Sequence, residues 1–495
     1  MRRKPNRVLE AVALTDYAAG GRSLARVGGK VVFVEGAVPG DVVDVLLTRS
    51  RADWSEGRAI RHHRFSADRV EPFCAHFGVC GGCQWQMLPY GLQLAWKQRE
   101  VLEQLRRIGK VDLPDLLPIL GAERTTAYRN KLEFTFSNRR YLSREEMEGA
   151  ADAEALRGMK DSPALGYHAP RQFDKVLDIG QCHLQAEPSN AIREWFRHHA
   201  LRDGLSFYDI RAQEGFLRNL VLRSTRAGEW MVNLVTGPGG EDAVGRMLSD
   251  FRVAFPETVS LYHTVNPKRN DSLNDLEPVL IAGETHLTEV LGGLRFRIGP
   301  KSFFQTNTEQ AERLYGVVRD FAGLTGEELV YDLYCGTGSI GLFLHAGARR
   351  VVGVEVVGAA VADAVENARL NGIRHAEFHV GAAEDVCTEA FVARHGRPDV
   401  IVTDPPRAGM HARLVETILS VRAPTVVYVS CNPATQARDL QLLDAAYRVT
   451  AVRPVDMFPH THHIENVVRL TLRDFPAGAP REALLLEREP ESHAN

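Results

Sequence analysis

From residue 286 onward the chain repeats one pattern of apolar run, glycine-bearing loop and helical stretch. The segments ELVYDLYCGTGSIGLFL, RRVVGVEVV, AEFHVGAAED, PDVIVTDPP, TVVYVSCNP and NVVRLTLRD each hold a run that is apolar at nearly every position. A strand with one face in water alternates apolar and polar residues, and these do not. Such runs belong to a parallel sheet covered by helices on both faces, which binds its ligands beyond the carboxyl ends of the strands.

The preceding chain reads differently. Residues 8–61 alternate in short runs (VLEAVAL, GKVVFVEG, DVVDVLLT, EGRAIRHH) between Gly and Pro turn signals, the pattern of a small all-β barrel. Cys74, Cys80 and Cys83 cluster next, followed by a helix over 90–108 with Leu94, Gln98, Val101, Leu102 and Leu105 at helical spacing. Residues 128–267 mix strands (KLEFTFS, KVLDIG, LVLRS, EWMVNLVT) with helices near 191–199 and 240–251, an α+β segment in which the acidic stretch 143–163 is expected to be a mobile insertion. The expected division is a barrel at 1–65, an α+β middle segment at 66–285, an α/β domain at 286–475 and a tail at 476–495. At roughly 150 residues per domain, a chain of 495 has room for three.

Composition narrows the classes further. With 44% hydrophobic and 25% charged residues the chain is neither disordered, collagen-like nor a coiled coil. It has no run of 18 apolar residues, and its start, MRRKPNRVLE, lacks the apolar centre of a signal peptide, so no membrane contact and a cytoplasmic location are expected. Seven cysteines, an odd and small number for this length, speak for metal binding or catalysis over a disulfide framework. Residues 1–140 carry 23 Lys and Arg against 15 Asp and Glu, a local +8 in a chain of net −3. A basic amino-terminal third fits a face for a polyanion, and equally an ordinary solvated surface.

Gly336, Gly338 and Gly341 form G-x-G-x-x-G after a predicted strand, and Glu355 ends the next one. A turn without side chains lets a nucleotide approach the backbone, while the carboxylate accepts from ribose hydroxyls. NAD and S-adenosylmethionine both use such a turn. Asp332, just before the loop, suits the cationic sulfonium ligand better than a pyrophosphate, and a merely tight strand-to-helix turn is the plain alternative. Asp404, in DPPR after the run PDVIV, is placed at the same crevice. Cys431 follows TVVYVS and is a candidate nucleophile, although buried cysteines are usually inert. Glu465, before the last apolar strand, is a candidate general base, with His463 as the alternative. His460, His462 and His463 also raise the question of a metal, but adjacent loop histidines are more often solvated.

Taken together, FFQTN (303–307), DLYCGTGSIG, DPPRAG, VSCNPAT and FPHTHHIENV resemble, in order, the signature motifs of the RNA uridine C5-methyltransferases. Residues 8–61 resemble a TRAM domain, and C-x5-C-x2-C with the distant Cys182 resembles that family's iron–sulfur site. The likeness spans about residues 8–474. It implies a Rossmann-like methyltransferase domain joined to a TRAM/OB-like barrel and an α+β middle domain. Cys431 is then the nucleophile, Glu465 the proton acceptor, and Asp404 a residue holding the base against the methyl donor. Gln305, Tyr334, Ser339, Glu355 and Asp404 are the S-adenosylmethionine positions, with Ser339 and Gly381 standing where asparagine is common in that family.

The likeness also implies a 4Fe-4S cluster on Cys74, Cys80, Cys83 and Cys182; by spacing alone these four thiolates suit zinc as well. His76 and His183 are expected bystanders. The implied partner is RNA, 23S ribosomal RNA first, read by a monomer at an unstacked uridine, with Arg129 and Lys131 beside Tyr128 as candidate contacts. Competing readings are a transfer-RNA enzyme of the same family and a non-catalytic iron–sulfur RNA-binding or ribosome-assembly factor. A third, an NAD-dependent dehydrogenase, rests on the glycines alone.

Overall fold

The computed structural model describes residues 7–474, so the stretch read as a tail, 476–495, lies outside the described residues. At the amino terminus six strands form a half-barrel in the order Val8–Ala13, Val42–Ser50, Trp54–Arg64, Lys30–Glu35, Arg22–Val27, Asp16–Ala18. Alternation turns Ala25, Val32, Val34, Val43 and Val45 into one small core. The long pair Val42–Ser50 and Trp54–Arg64 slips register three times, and such bulges coil a sheet. At Gly57 a Cβ would stand 2.6 Å from Val45 Cγ1 and 2.7 Å from the Leu46 carbonyl oxygen, so the two strands meet there only because the residue is glycine.

The middle segment builds a seven-stranded sheet ordered Val279–Gly283, Thr258–Val265, Trp230–Thr236, Leu217–Ser224, Lys131–Ser137, Ala164–His168, Val176–Asp178. Neighbours are antiparallel except Trp230–Thr236 with Thr258–Val265, which the helix Glu241–Ala254 connects, as a parallel pair requires. That helix and Ser189–Arg202 bury Phe251 and Phe196 against Phe134, Leu220 and Val232 of the sheet. The stretch read as a mobile insertion holds two short helices, Arg144–Glu148 and Ala153–Lys160. Ser143 starts the first with a reciprocal capping box to Glu146, and Asp152 caps the second, local bonds that the acidic composition of the stretch did not reveal.

The carboxyl-terminal sheet has the order Ala376–Val380, Arg350–Glu355, Leu329–Leu333, Val400–Thr403, Thr425–Ser430, Glu465–Leu472, Tyr447–Val455. Its first five strands are parallel, Glu465–Leu472 runs against them, and the edge strand Tyr447–Val455 pairs antiparallel with it and so runs with the first five. Successive residues alternate between two cores. Val330, Val351, Val402 and Val427 face the helix Thr308–Ala322, whereas Tyr331, Val352, Ile401 and Tyr428 face the helices Ala412–Val421 and Pro433–Leu443. The chain starts at Leu329–Leu333, works outward to one side, then returns to Val400–Thr403 on the other. This topological switch point opens a crevice between the two strands.

The helix predicted over 90–108 is Tyr90–Gln104 continued by a π turn, Leu105–Gly109. Its place in sequence put it with the middle segment, but it packs on the carboxyl-terminal sheet, burying Val101 and Leu105 in that core, worth about 1.5–3 kcal/mol each. Among the described residues no helix is long and apolar enough to cross a membrane.

Candidate active site

Strand register assembles the site. Thr403 lies beside Leu333 on one side and Tyr428 on the other, so Asp404 and Tyr334 leave their strands side by side at the switch point. Ser430 pairs with Asn466, and the same antiparallel register continued by one residue sets Cys431 opposite Glu465. The loop after Asp404 is fixed from below: the Arg407 carbonyl accepts from Asn432 Nδ2 (3.0 Å) and Thr435 Oγ1 (3.2 Å), and the Met410 N–H donates to Asp439 Oδ2 (2.8 Å). Asn432 also caps the helix Pro433–Leu443, so Cys431 sits between a strand end and a helix start.

In the glycine loop Tyr334, Gly336 and Gly338 all take left-handed φ (62°, 54° and 76°). The Gly336 N–H donates to Glu355 Oε2 (3.1 Å) and the Val357 N–H to Glu355 Oε1 (2.9 Å), which aims the carboxylate while leaving each oxygen a lone pair for a hydroxyl. Asp332, read as facing a cationic ligand, instead lies fully buried beneath the loop, where its Oδ2 accepts from the Gly341 N–H at 2.8 Å. A Cβ on Gly341 would come within 2.9 Å of that same oxygen, so this glycine serves close packing. The Ser339 hydroxyl is engaged by Tyr315 (2.9 Å). At Gly381 a φ of 151° and Val386 Cγ2, 2.5 Å from an added Cβ, leave no room for a side chain. Gln305 lies in a loop held by the middle sheet, because its carbonyl accepts from Asn130 Nδ2 (2.8 Å) and Arg223 Nη2 reaches the Ser302 carbonyl (2.7 Å).

The electrostatics are those of crowded carboxyls in a poorly solvated crevice. Burial pushes Asp404 up to about 7, and burial reinforced by Asp404 pushes Glu465 well above the usual carboxyl range, with Arg407 opposing. Burial also raises Asp332 to about 7, against the Gly341 hydrogen bond and with help from Asp404 and Glu355. Cys431 is carried up to about 11 by burial and by Glu465 and Asp404, with Arg407 pulling the other way. An ionised Asp404 would attract a sulfonium ligand, so the affinity for that ligand should rise as pH passes through about 7.

The loop 456–463 that leads to Glu465 is gripped by residues that sequence reading missed. Lys97 Nζ reaches Asp456 Oδ1 (2.6 Å) and the Phe458 carbonyl (3.2 Å), and the Tyr90 hydroxyl reaches Asp456 Oδ2 (2.9 Å). Gln93 Oε1 accepts from the His460 N–H (2.9 Å), while the His460 carbonyl accepts from the N–H groups of Gln84 (2.8 Å) and Trp85 (2.9 Å). His460 is thus buried, not solvated as a loop histidine was expected to be. The signal was present in Gln93, Lys97 and Val101, spaced by four on one helix face: two polar residues in a buried stripe. Lys97 and Asp456 are both fully buried, so Lys97→Met should cost about 3–5 kcal/mol by stranding a carboxylate. Urea unfolding should show the loss, and the double change Lys97→Met with Asp456→Leu should recover part of it.

Cys74, Cys80, Cys83 and Cys182 line one cavity of about 530 Å³. Burial raises Cys80 to about 11 and Cys83 to about 12, with the neighbouring thiols adding to it, so as free thiols they stay protonated and a bound cation is what would ionise them. Arg129 and Lys131, expected as RNA contacts, line this same cavity, and Lys131 starts an inner strand of the middle sheet, not an edge. Tyr128 is buried, its hydroxyl on the Pro459 carbonyl (3.1 Å). The Gly180 N–H donates to His76 Nε2 (2.9 Å), which occupies that nitrogen. Among the described residues the trio of ligand atoms lying within 4.8 Å of one another is Glu377, His379 and His395, and no trio of these thiols is that close. A zinc–sulfur bond of about 2.3 Å would need sulfurs roughly 3.8 Å apart.

The family described as tRNA (uracil-5-)-methyltransferase matches residues 288–473, and the TRAM domain family matches residues 6–60. An uncharacterized RNA methyltransferase of Bacteroides thetaiotaomicron is 50% identical over 459 residues, 92% of this chain and 100% of that protein. One of Porphyromonas gingivalis is 48% identical over 464 residues, 92% of this chain and 98% of that protein. Among solved structures, the Pyrococcus abyssi tRNA (uracil-54, C5)-methyltransferase in complex with S-adenosyl-L-homocysteine is similar with a TM-score of 0.70 and 28% identity, covering 94% of this chain and 100% of that one.

Proposed function

The chain belongs to the RNA (uracil-5-)-methyltransferases, which use S-adenosylmethionine, and on that premise we propose that it methylates carbon 5 of a uridine in 23S ribosomal RNA through a covalent cysteine–uracil adduct. The observation that carries the chemistry is the register setting Cys431 opposite Glu465, with Asp404 beside the cofactor crevice. Carbon 5 of uracil is too weak a nucleophile to take a methyl group unaided. Addition of the Cys431 sulfur to carbon 6 converts the ring to an enolate whose nucleophilic end is carbon 5. Gln305, Tyr334, Glu355 and Asp404, with Ser339 at the helix start, would hold S-adenosylmethionine, which when bound would supply the methyl group as a sulfonium electrophile. Glu465 removes the proton left on carbon 5, and the ring expels the Cys431 sulfur. Asp404 would hold the uracil base against the methyl donor, and its charge raises the proton affinity of Glu465.

The ribosomal target rests on the half-barrel and the cysteine set occurring together. The Pyrococcus abyssi likeness, which spans nearly the whole chain, favours transfer RNA as the second reading. Nucleoside mass spectrometry of fractionated RNA from a strain lacking the protein tests both: loss of 5-methyluridine from 23S RNA supports the first, loss from transfer RNA replaces it, and loss from neither refutes the pair.

The four thiols, which line one cavity, are assigned to a 4Fe-4S cluster on the likeness of their motif to the family's iron–sulfur site. Since no step above needs an electron, the cluster is a staple. It ties Cys182 of the middle segment to the 74–83 segment, whose continuation, Gln84 and Trp85, holds His460. Anaerobically purified protein should be brown with about four irons per chain. Stoichiometric zinc without iron would refute the cluster and leave the methyl transfer standing.

A further inference from the structure

The phenol of Tyr315 is a buried polar group to which the reaction as drawn gives no part. It comes from the helix Thr308–Ala322, which packs on the carboxyl-terminal sheet. Its ring meets Phe343 edge-on at 5.7 Å between centroids, and its hydroxyl lies 2.9 Å from Ser339 Oγ. Ser339 and Phe343 are four residues apart, so the tyrosine runs along one face of the short helix Ser339–Leu344. Burial raises the phenol well above its ordinary range, and the carboxyls of Asp404, Asp332 and Glu465 add to it. The hydroxyl therefore keeps its proton and stands within electrostatic reach of the crevice acids.

A buried hydroxyl that donates to nothing loses its hydration without return. Among the described residues the partner of the Tyr315 hydroxyl is Ser339 Oγ. Were the serine the donor, the phenol proton would be stranded, so the phenol donates and the serine accepts. A serine hydroxyl also carries a proton of its own, which turns about the Cβ–Oγ bond until a neighbour fixes it. With one lone pair committed to Tyr315, the half-buried serine is left with a proton to give, directly after Gly338 of the glycine loop.

The acceptor this proton suits follows from the other groups at the site. S-adenosylmethionine carries ribose hydroxyls, a cationic sulfonium and amine, and a carboxylate. Glu355 is aimed at hydroxyls and Asp404 suits a cation, whereas a carboxylate would be repelled by both, and by Asp332 and Glu465, once they are ionised. Arg407 is engaged with His463 and Cys431. We propose that Tyr315 is a positioning residue: by donating to Ser339 Oγ it turns the serine proton toward the carboxylate of the cofactor's amino-acid portion. The proposal rests on the reading of the glycine loop and Ser339 as the S-adenosylmethionine site.

The test is isothermal titration of the full chain, purified anaerobically, with S-adenosylmethionine and with its decarboxylated analogue, which keeps the sulfonium and the amine. Tyr315→Phe removes one hydroxyl and keeps the ring. It should weaken S-adenosylmethionine about fivefold and leave the decarboxylated analogue unchanged, a split that a merely structural role would not produce. Ser339→Ala should weaken S-adenosylmethionine about tenfold, and adding Tyr315→Phe to it should cost nothing more, because the phenol acts through the serine. Equal weakening of both ligands by Tyr315→Phe, parental affinity for both, or additive losses in the double variant would each overturn the proposal. A parent protein that binds neither ligand would defeat the cofactor site itself, and the proposal with it.

Discussion

Cys431→Ala protein should transfer no methyl group and form no covalent complex with RNA. The enolate on carbon 5 exists only after a sulfur has added to carbon 6, and among the described residues Cys431 is the half-buried thiol outside the cysteine cavity, whereas Cys335 and Cys387 are buried. The variant should still fold and bind S-adenosylmethionine, since the thiol makes no structural hydrogen bond to the glycine loop. In the parent protein the thiol stands at about 11, so only about one molecule in ten thousand is thiolate at pH 7. The sign follows: raising pH increases the reactive form, and single-turnover adduct formation should climb about tenfold per pH unit from pH 7 to 9. A denaturing gel of protein, RNA and methyl-labelled S-adenosylmethionine reads both effects. Full turnover by Cys431→Ala would overturn the nucleophile, and a flat pH profile of adduct formation would place the limiting step before thiolate addition.

Some of this site was legible before any coordinates. Asp404, Cys431 and Glu465 each border an uninterrupted apolar run, the pattern of an inner strand, and following such runs placed Asp404 and Cys431 at the carboxyl ends of their strands, where the crevice lies. Their pairing did not. That Cys431 faces Glu465 depends on the antiparallel insertion of Glu465–Leu472 beside Thr425–Ser430, which local patterning leaves open. The errors share one physical cause: the surroundings of a charged side chain are set by distant segments. Asp332 looks like a ligand contact until the Gly341 N–H claims it, and Lys97 carries no sign in its own segment of the Asp456 carboxylate 2.6 Å away. Arg129 and Lys131, expected as RNA contacts, are half-buried and line the cavity that the four cysteines share, a neighbourhood set by segments distant in sequence.

The Glu465→Gln protein should behave in the opposite way to Cys431→Ala, trapping RNA instead of failing to engage it. Glutamine keeps the size of the side chain and a hydrogen-bonding end but accepts no proton at neutral pH, so thiolate addition and methyl transfer proceed while the carbon 5 proton stays. Elimination then stalls. A protein–RNA adduct that carries the transferred methyl and survives denaturation should accumulate to about one per enzyme, with multiple turnover lost. The nearest competing base is His463. Burial, His462 and Arg407 hold its imidazole down to about 4, which makes it a poor acceptor, whereas the buried Glu465, raised by its surroundings, binds a proton strongly once Asp404 has lost its own. His463→Gln should therefore turn over without a trapped adduct. If Glu465→Gln releases methylated RNA at the parental rate while His463→Gln accumulates the adduct, the base is His463. If neither variant traps RNA, the proton leaves by a route outside this loop.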